Sequence, residues 1–457
     1  MYQLSDNIIA LSTPAGTSAL ALIRLTGKDV QHIVADFFSK DISNALQASI
    51  HYGFLSDEGK TIDEVMVSVF WAPRSFTGEN MLEISCHGSP IITQRIITTL
   101  IKDKRLRMAE AGEFSLRAFQ NKKMDLVKAE SISDLIAAAS IAAQQIAANQ
   151  LRNGFSSTLL DMRQSLVDFA ALLELELDFS EEDVEFAKRD DLKKLCNELI
   201  ANATMLSGSF KFGNAIKNGI QTAIIGKPNA GKSTLLNALL NEDRAIVSPI
   251  AGTTRDTIEE KFTINGVLFQ LIDTAGLRDE TQDEIEKIGI ERTQKAMRQA
   301  NVLILVLDAT DKNAIDFYKQ IKMQCIDKLG FITLINKADL VDEKTLASIV
   351  NGLENGLAIS ANSKKIAVLL TELEKISEKL NHEAAQPMIT NLRHYEALNN
   401  ACQSLSKVVE GIENGAYLEL VAADLKNALY HLGSISGGNI GADEVLTSVF
   451  SRFCIGK

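Results

Sequence analysis

Hydrophobic and polar residues follow three different patterns along the chain. From 7 to about 120, short apolar runs predict strands, among them "NIIALSTP", "DEVMVSVFWAP" and "NMLEISCHG", with helical stretches between them. From about 121 the apolar residues recur at spacings of four and three, the period of a helix. Between 151 and 173 these residues are Leu151, Phe155, Leu159, Met162, Leu166, Phe169 and Leu173.

A third pattern, from 216 to 377, alternates short apolar strands with amphipathic helices, which predicts a mostly parallel sheet. Within it, Asn265-Gly266 separates two alternating runs and is a preferred two-residue hairpin turn, so an antiparallel pair is expected at the sheet edge. The patterns predict a multidomain α+β and α/β chain. Its segments are an N-terminal α+β domain at 1–120, a discontinuous helical domain at 121–215 and 378–457, and an inserted α/β domain at 216–377.

Composition limits the cellular setting. With 457 residues and 46% hydrophobic content the chain can bury several cores, and no apolar stretch approaches the roughly eighteen residues of a membrane helix. The N-terminus lacks a basic segment followed by an apolar one, and five scattered cysteines form no zinc or disulfide pattern. We therefore expect a cytoplasmic protein without a membrane role. The net charge of -12 argues against binding nucleic acid through bulk charge.

The segment "GKPNAGKS" at 226–233 matches the pattern GxxxxGK[ST] directly after a predicted strand and before a predicted helix. In that context the backbone N–H groups cradle a phosphate, Lys232 reaches the β- and γ-phosphates, and the Ser233 hydroxyl holds Mg²⁺. The motif alone predicts a nucleoside triphosphatase of the P-loop class.

Three further motifs follow in the order of a small GTPase domain. "GTTRD" at 252–256 supplies Thr254 for Mg²⁺ and the γ-phosphate, and "DTAG" at 273–276 supplies Asp273 and the Gly276 amide. "NKAD" at 336–339 places Asp339 where it can accept hydrogen bonds from guanine, and "SAN" at 360–362 is expected beneath the base. Adenine does not offer these donors, so GTP is expected to be preferred over ATP. The predicted GTP-binding residues from these motifs are Asn229, Ala230, Gly231, Lys232, Ser233, Thr234, Thr254, Asp273, Gly276, Asn336, Lys337, Asp339, Ser360 and Ala361.

The residue after DTAG is Leu277, where many GTPases carry a glutamine that orients the attacking water. Leucine cannot do this, so a partner's arginine or a positive charge within the site must complete the transition state. Asn229 in the P-loop and the long loop before Thr254 offer oxygen ligands to a monovalent cation.

The chain resembles the MnmE (TrmE) family of bacterial and organellar tRNA-modification GTPases nearly end to end. The resemblance covers "FTGENMLEISCHGSP", "GEFSLRAFQNKKMDLVKAESISDLI", the four GTPase motifs, "EIEKIGIER" and the terminal "FCIGK". It implies a Ras-like GTPase domain, a homodimer held by the N-terminal domains, and a partner of the FAD-containing MnmG type. The two proteins together would modify C5 of the wobble uridine, U34, of certain tRNAs. A regulatory or ribosome-assembly GTPase without covalent chemistry is the alternative.

The same resemblance implies further site residues. K⁺ would bind at Asn229, Ser248, Ile250 and Thr253, which adds Ser248 and Thr253 to the GTP site. Glu286 matches a water-activating glutamate, the alternative being a solvated helix residue. A tetrahydrofolate one-carbon derivative would bind the N-terminal domain, and the matching positions are Arg24, Glu83, Lys123 and Lys457.

The C-terminal "CIGK" puts Cys454 fourth from the end. A prenylation box fits poorly, because Gly456 and Lys457 are not its usual residues. A buried inert thiol is the serious alternative. Our hypothesis is that Cys454 acts near the folate site as a nucleophile or acid–base group. His87 is expected to be a hydrogen-bonded structural residue rather than a catalytic one.

Overall fold

The structure is a computed structural model. It describes residues 6–153, 155–178, 188–241, 260–272, 294–325, 328–362, 366–384 and 386–438, and the single positions Leu446, Val449, Phe450, Phe453 and Gly456. For 153, 155–160 and 162 it describes the backbone alone. The chain forms two compact units, one of 1–133 with 430–457 and the other of 134–429. The predicted boundaries at 120, 215 and 377 stay predictions. None of the helices in the described ranges combines the length and apolarity that a membrane crossing needs.

The first unit is built on a mixed sheet with the strand order β3-β4-β5-β2-β1-β6. Its strands are β1 Asn7–Leu11, β2 Leu20–Thr26, β3 Ser49–Asp57, β4 Lys60–Phe70, β5 Met81–His87 and β6 Leu106–Met108. The accompanying helices are α1 Val30–Ala35, α2 Pro90–Ile101 and α3 Glu113–Gln120. Strands β1 and β6 are parallel and the other neighbours antiparallel. The α+β class predicted from the short apolar runs is confirmed.

Side chains alternate between the two faces of this sheet, because the period of a strand is two residues. One face packs against α1 and α2 around fully buried side chains such as Ile23, Val67 and Ile84. The other, which we call the open face, carries the partly buried Arg24 and Glu83. Along the same side it exposes the large apolar residues Leu20, Ile50, Tyr52, Phe54 and Met66.

The second unit contains a sheet with the order β12-β11-β10-β7-β9-β8. Its strands are β7 Ile220–Ile225, β8 Lys261–Ile264, β9 Val267–Leu271, β10 Val302–Asp308, β11 Gly330–Asn336 and β12 Gly356–Ala358. All neighbours are parallel except β8 and β9, which form an antiparallel hairpin at the edge. This confirms both the mostly parallel sheet and the edge hairpin predicted from Asn265-Gly266.

Helices make up most of the remaining described chain. They are α4 Leu126–Ala137, α5 Ile141–Asn153, α6 Phe155–Asp178, α7 Arg189–Gly208, α8 Phe210–Asn218, α9 Lys232–Leu240, α10 Ala314–Gln324, α11 Glu343–Asn351, α12 Ala367–Ala384, α13 Leu392–Glu413 and α14 Leu418–Ser436. Leu166 and Leu173, two residues of the predicted helical stripe, are fully buried in α6. The helical texture predicted on both sides of the α/β segment is therefore confirmed.

The turn of the edge hairpin contacts residues that lie outside 216–377 in sequence, one in α5 and one in the last part of α12. The Gly266 carbonyl accepts a hydrogen bond of 3.0 Å from the Ala142 N–H of α5. The Asn265 carbonyl accepts one of 2.9 Å from the Asn381 side chain of α12. Behind the turn, the stacked rings of Phe262 and Phe269 belong to one hydrophobic cluster with residues of α5, α8 and α12. Sheet and helices of this unit thus share a continuous core.

Candidate functional site

The glycine-rich loop connects the carboxyl end of β7 to the start of α9. Gly231 caps α9 with a φ of +93°. A β-carbon on Gly231 would lie 2.2 Å from Nδ2 of Asn336, and one on Gly226 would lie 2.4 Å from the Val306 carbonyl oxygen. Neither position accepts a side chain without movement of its neighbours. The loop therefore follows its path because glycine occupies both points, and it leads into a helix start whose N–H groups suit an anion.

Lys232 and Ser233 form the first turn of α9 and are partly buried. The Lys232 ammonium donates a hydrogen bond of 2.9 Å to the carbonyl of Lys227, across its own loop. Ala230 is buried beneath the loop, whereas Asn229, with a φ of +61°, and Thr234 are exposed. The structure places Lys232 and Ser233 where the loop leads into α9, and their roles at a nucleotide stay predictions.

Asn336 holds the base-binding motif against the phosphate-binding loop. Its Nδ2 donates to the Ala230 carbonyl at 2.9 Å, and its Oδ1 accepts from the Ala361 N–H at 3.0 Å. The residue is 3% exposed, so water competes little for these bonds. One side chain therefore joins three motifs, since Asn336 bonds to Ala230, 106 residues before it, and to Ala361, 25 residues after it. The predicted residues Ala230, Asn336 and Ala361 are brought together.

The predicted base-reading carboxylate lies on a short turn. Lys337 has a φ of +59° and precedes the 3₁₀ turn Ala338–Leu340, on which Asp339 is exposed. The Ala338 N–H is tied to the Ile359 carbonyl at 3.2 Å, which fixes the turn beside the buried Ser360. A carboxylate on such a turn can accept from the N1–H and 2-amino group of guanine, which adenine lacks.

Sequence reasoning did not single out Asp308 and Asp311, which border this site at the end of β10. Burial opposes ionisation of Asp308, but hydrogen bonds from Lys337 and Thr310 outweigh it and hold its pKa below the ordinary value. A hydrogen bond from Lys227, helped by the Asn313 N–H, likewise lowers the pKa of Asp311. The sequence did contain a signal for these two residues, because they are carboxylates at the end of a buried parallel strand. Site residues commonly lie at the carboxyl ends of the strands in such sheets.

Several predicted residues of the nucleotide site lie outside the described residues. They are Ser248, Ile250, Thr253, Thr254, Asp273, Gly276, Leu277 and Glu286. The strand that leads to Asp273 is described, because β9 ends at Leu271 beside β7, two residues before it. Their roles stay predictions.

A second cluster of polar groups lies on the open face of the first sheet. Arg24 on β2 and Glu83 on β5 are directly opposite in the ladder. Arg24 donates from Nε at 2.9 Å and from Nη2 at 2.7 Å, and both bonds reach Oε1 of Glu83. The guanidinium also lies 5.5 Å from the ring centre of Phe76 and 5.9 Å from that of Phe114. The structure thus brings two of the predicted folate residues together in an aromatic setting.

The C-terminal segment reaches this cluster. The Gly456 carbonyl accepts hydrogen bonds from Nη1 of Arg24 at 3.1 Å and from the Ser12 hydroxyl at 3.2 Å. Phe450 and Phe453 anchor the same segment in a hydrophobic cluster with Leu116 and Leu126. Lys123 donates to the Pro73 carbonyl at 2.8 Å. Cys454 and Lys457 lie outside the described residues, so their predicted roles are not tested.

His87 belongs to a hydrogen-bonded pair on the same unit. Its Nδ1 and its backbone N–H contact the two oxygens of Asp63 at 2.7 Å and 2.8 Å. The Asp63 side chain is 8% exposed and that of His87 61%. The hydrogen bond with Asp63 raises the pKa of His87. This agrees with the expectation of a hydrogen-bonded residue that ends strand β5.

The strand, glycine loop and helix, with the base-reading turn joined to them through Asn336, define a P-loop GTPase. The family model described as the MnmE helical domain matches residues 126–454, and that of the GTP-binding protein TrmE N-terminus matches 7–123. A tRNA modification GTPase MnmE of Christiangramia forsetii is 45% identical over 100% of both chains. One from Flavobacterium johnsoniae is 45% identical over 99% of both. The chain therefore belongs to the MnmE family of tRNA modification GTPases.

Solved structures also match part of the chain. A structure of Era with MgGDPNP and 16S ribosomal RNA is 25% identical, covers 40% of this chain and 66% of its own, and has a TM-score of 0.26. The G domain of the FeoB iron transporter of T. maritima is 24% identical over 36% of this chain and 99% of its own, with a TM-score of 0.23.

Proposed function

We propose that the chain hydrolyses GTP with K⁺ stimulation and, with an MnmG-type partner that carries FAD, modifies C5 of the wobble uridine U34 of certain tRNAs. The one-carbon unit would come from a tetrahydrofolate derivative. One observation carries the proposal: the described residues of the chain include a phosphate-binding loop joined through Asn336 to the proposed base-binding turn and, in the other unit, an arginine–carboxylate cluster joined to the C-terminal segment. The relatives are named tRNA modification GTPases.

In the nucleotide site the residues of the chain would bind and orient the phosphates of GTP. The loop from Gly226 to Gly231 and the first turn of α9 would cradle the phosphates, with Lys232 leaving the Lys227 carbonyl for a phosphate oxygen. The Ser233 hydroxyl and the predicted Thr254 suit Mg²⁺, a cation that prefers oxygen ligands. When bound, Mg²⁺ would neutralise charge on the β- and γ-phosphates.

K⁺ stimulation is supported by the residue types around the loop. Asn229 is exposed and has a left-handed backbone conformation, and the oxygen of its side-chain amide suits a monovalent cation. The predicted ligands Ser248, Ile250 and Thr253 would complete the site. Because Leu277 cannot orient water, this added positive charge and the proposed carboxylate of Glu286 would take over that task.

The folate part of the proposal rests on the open face. Both hydrogen bonds from Arg24 go to Oε1 of Glu83, so Oε2 is available to accept from the N–H and amino groups of a pterin. The aromatic rings of Phe76 and Phe114, near the guanidinium, favour a flat ligand. Lys123 and Lys457 would contact its charged end. When bound, the folate supplies the one-carbon unit.

The C-terminal segment supports a role for Cys454. Gly456, two residues along the chain, is hydrogen-bonded to Arg24, so the segment has a described anchor at the proposed folate site. We propose that Cys454 acts there as a nucleophile or acid–base group on the uridine. If the segment holds Cys454 beside Arg24 and Lys457 as proposed, their positive charges would favour its thiolate form.

The exposed apolar residues of the open face support a homodimer. Ile50, Tyr52, Phe54 and Met66 are each more than 40% exposed and lie side by side on β3 and β4. A contiguous apolar patch of this kind is typical of a protein interface. Contact with a second copy would bury it beside Arg24 and Glu83. A tRNA substrate makes the cytoplasm the expected location.

The test is nucleoside mass spectrometry of tRNA from a strain that lacks the chain. We expect the modified wobble uridine to disappear, to return with the wild-type gene, and not to return with Cys454→Ser, although that variant hydrolyses GTP. Unchanged wobble uridines in the deletion strain would instead favour a regulatory GTPase. Full modification with the serine variant would make the thiol structural. In parallel, GTP hydrolysis should be much faster in K⁺ than in Na⁺, and equal rates would remove the cation from the mechanism.

A further inference from the structure

Two carboxylates at the carboxyl end of β10 each hold a lysine of a different nucleotide-binding motif. Asp308 is the last residue of the strand, and Asp311 follows three residues later, with its N–H bonded to the Asp308 carbonyl at 3.1 Å. Asp308 contacts Lys337 of the base-reading motif, and Asp311 contacts Lys227 of the phosphate-binding loop. The segment 308–311 therefore connects to both halves of the GTP site.

The Asp308 carboxylate is fixed on both sides. Oδ2 accepts from the Lys337 ammonium at 2.6 Å, and Oδ1 accepts from the N–H and the hydroxyl of Thr310 at 2.9 Å and 2.7 Å. Its side chain is 18% exposed. Since Lys337 adopts a left-handed conformation directly before the turn that carries Asp339, a fixed ammonium at Lys337 also fixes the direction of that turn.

Asp311 acts on the other half. Its Oδ2 accepts from the Lys227 ammonium at 2.7 Å, and its Oδ1 accepts from the Asn313 N–H at 2.9 Å. The same ammonium lies 5.4 Å from the ring centre of Phe317. The backbone carbonyl of Lys227 in turn accepts a hydrogen bond from the Lys232 ammonium. The position of Lys227 therefore affects the position of the Lys232 ammonium before phosphate binds.

We propose that Asp308 and Asp311 are positioning residues of the GTP site, Asp308 for the guanine-reading turn and Asp311 for the phosphate-binding loop. Neither carboxylate needs to touch the nucleotide. Each neutralises a lysine at the rim and orders the backbone that does touch it. The two roles predict different losses, because one variant disturbs contacts common to all guanosine nucleotides and the other disturbs contacts that depend on phosphates.

The test uses the full chain with Asp308→Asn and Asp311→Asn and measures Kd for GMP, GDP and GTP by titration calorimetry. Partly exposed ion pairs contribute modestly, so we expect affinities about three- to tenfold weaker. Asp308→Asn should weaken all three nucleotides by a similar factor. Asp311→Asn should weaken GTP and GDP more than GMP. In steady-state assays Asp308→Asn should raise KM more than it lowers kcat.

Asp316→Asn is the matched control, since it removes one exposed carboxylate from the next helix, α10, and should change each Kd by less than about twofold. Thr310→Val removes the hydroxyl donor to Asp308 without a change in charge, and should weaken all three nucleotides slightly. A double-mutant cycle of Asp308→Asn with Lys337→Gln should show coupling. Additive effects in that cycle would overturn the role of Asp308. Equal losses for the three nucleotides in Asp311→Asn, or losses no larger than in the control, would overturn that of Asp311.

Discussion

The two sheets build their sites in different ways. In the parallel sheet the site lies in loops beyond the carboxyl ends of buried strands, and its groups occur in short contiguous motifs such as 226–233 and 336–339. In the N-terminal sheet the cluster lies in the middle of two antiparallel strands, where Arg24 and Glu83 are 59 residues apart in sequence. The first arrangement depends on the backbone conformation of the phosphate-binding loop, which requires glycine at positions 226 and 231. The second depends on side chains that meet only once the strands have paired.

The strongest way to test the backbone-built site is Gly231→Ala. A β-carbon would meet Asn336 at 2.2 Å, and the φ of +93° is strained for alanine. Strain and displacement of Asn336 together should weaken GTP about a hundredfold or more. Titration with a fluorescent GTP analogue measures this. Gly208→Ala is the control, because its added β-carbon meets nothing within 4 Å. Near-normal GTP affinity in Gly231→Ala would mean that the loop can move at little cost.

For the side-chain-built site the corresponding change is Glu83→Ala. It leaves Arg24 without its carboxylate and removes the proposed pterin acceptor, so binding of 5-formyltetrahydrofolate should fall by about tenfold to a hundredfold. GTP affinity should not change, which titration calorimetry with both ligands can establish. Glu64→Ala removes an exposed carboxylate from the neighbouring strand β4 and should affect neither. Wild-type folate affinity in Glu83→Ala would contradict the pterin assignment.

Asp339→Asn tests recognition of the guanine base without a change in the backbone of the phosphate-binding loop. The amide should weaken GTP by about tenfold and improve xanthosine triphosphate, because it can donate to the carbonyl that replaces the 2-amino group. Competition between the two nucleotides gives the ratio. If the preference for GTP persists, the base is read by other groups.

The smallest effect concerns Asp63→Asn on the N-terminal sheet. The hydrogen bond with Asp63 raises the pKa of His87, so the contribution of this pair to stability is present below the ordinary histidine pKa and is lost as the pH rises through the raised value. The variant should bring the pKa of His87 back toward its ordinary value. An NMR titration of the ring protons measures it, with the other histidines as references. An unchanged pKa would show that Asp63 is not the cause.

Sequence alone predicted the parallel sheet and its edge hairpin, because each depends on a local pattern. The phosphate- and base-binding residues follow from contiguous motifs, and their roles stay predictions. Sequence reasoning did not single out Asp308 and Asp311, whose partners Lys337 and Lys227 become neighbours only when β10 lies between β7 and β11. The bond from Arg24 to the Gly456 carbonyl was equally inaccessible, because it joins residues 432 positions apart. Pairing of distant segments is a property of the tertiary fold, and periodicity does not encode it.

The docking of the edge hairpin has a consequence for cooperativity. Phe262, Phe269 and Val267 share their cluster with Ala142 and Ile146 of α5 and with Leu373 and Leu380 of α12. A fragment of 216–377 would keep the nucleotide motifs but lose the α5 side of this core, so it should melt at a lower temperature than 134–429. The longer fragment should unfold in one calorimetric transition. Excision of a nucleotide-binding module from this chain therefore requires new polar residues on the hairpin, since its outer surface is the interior of a larger folding unit.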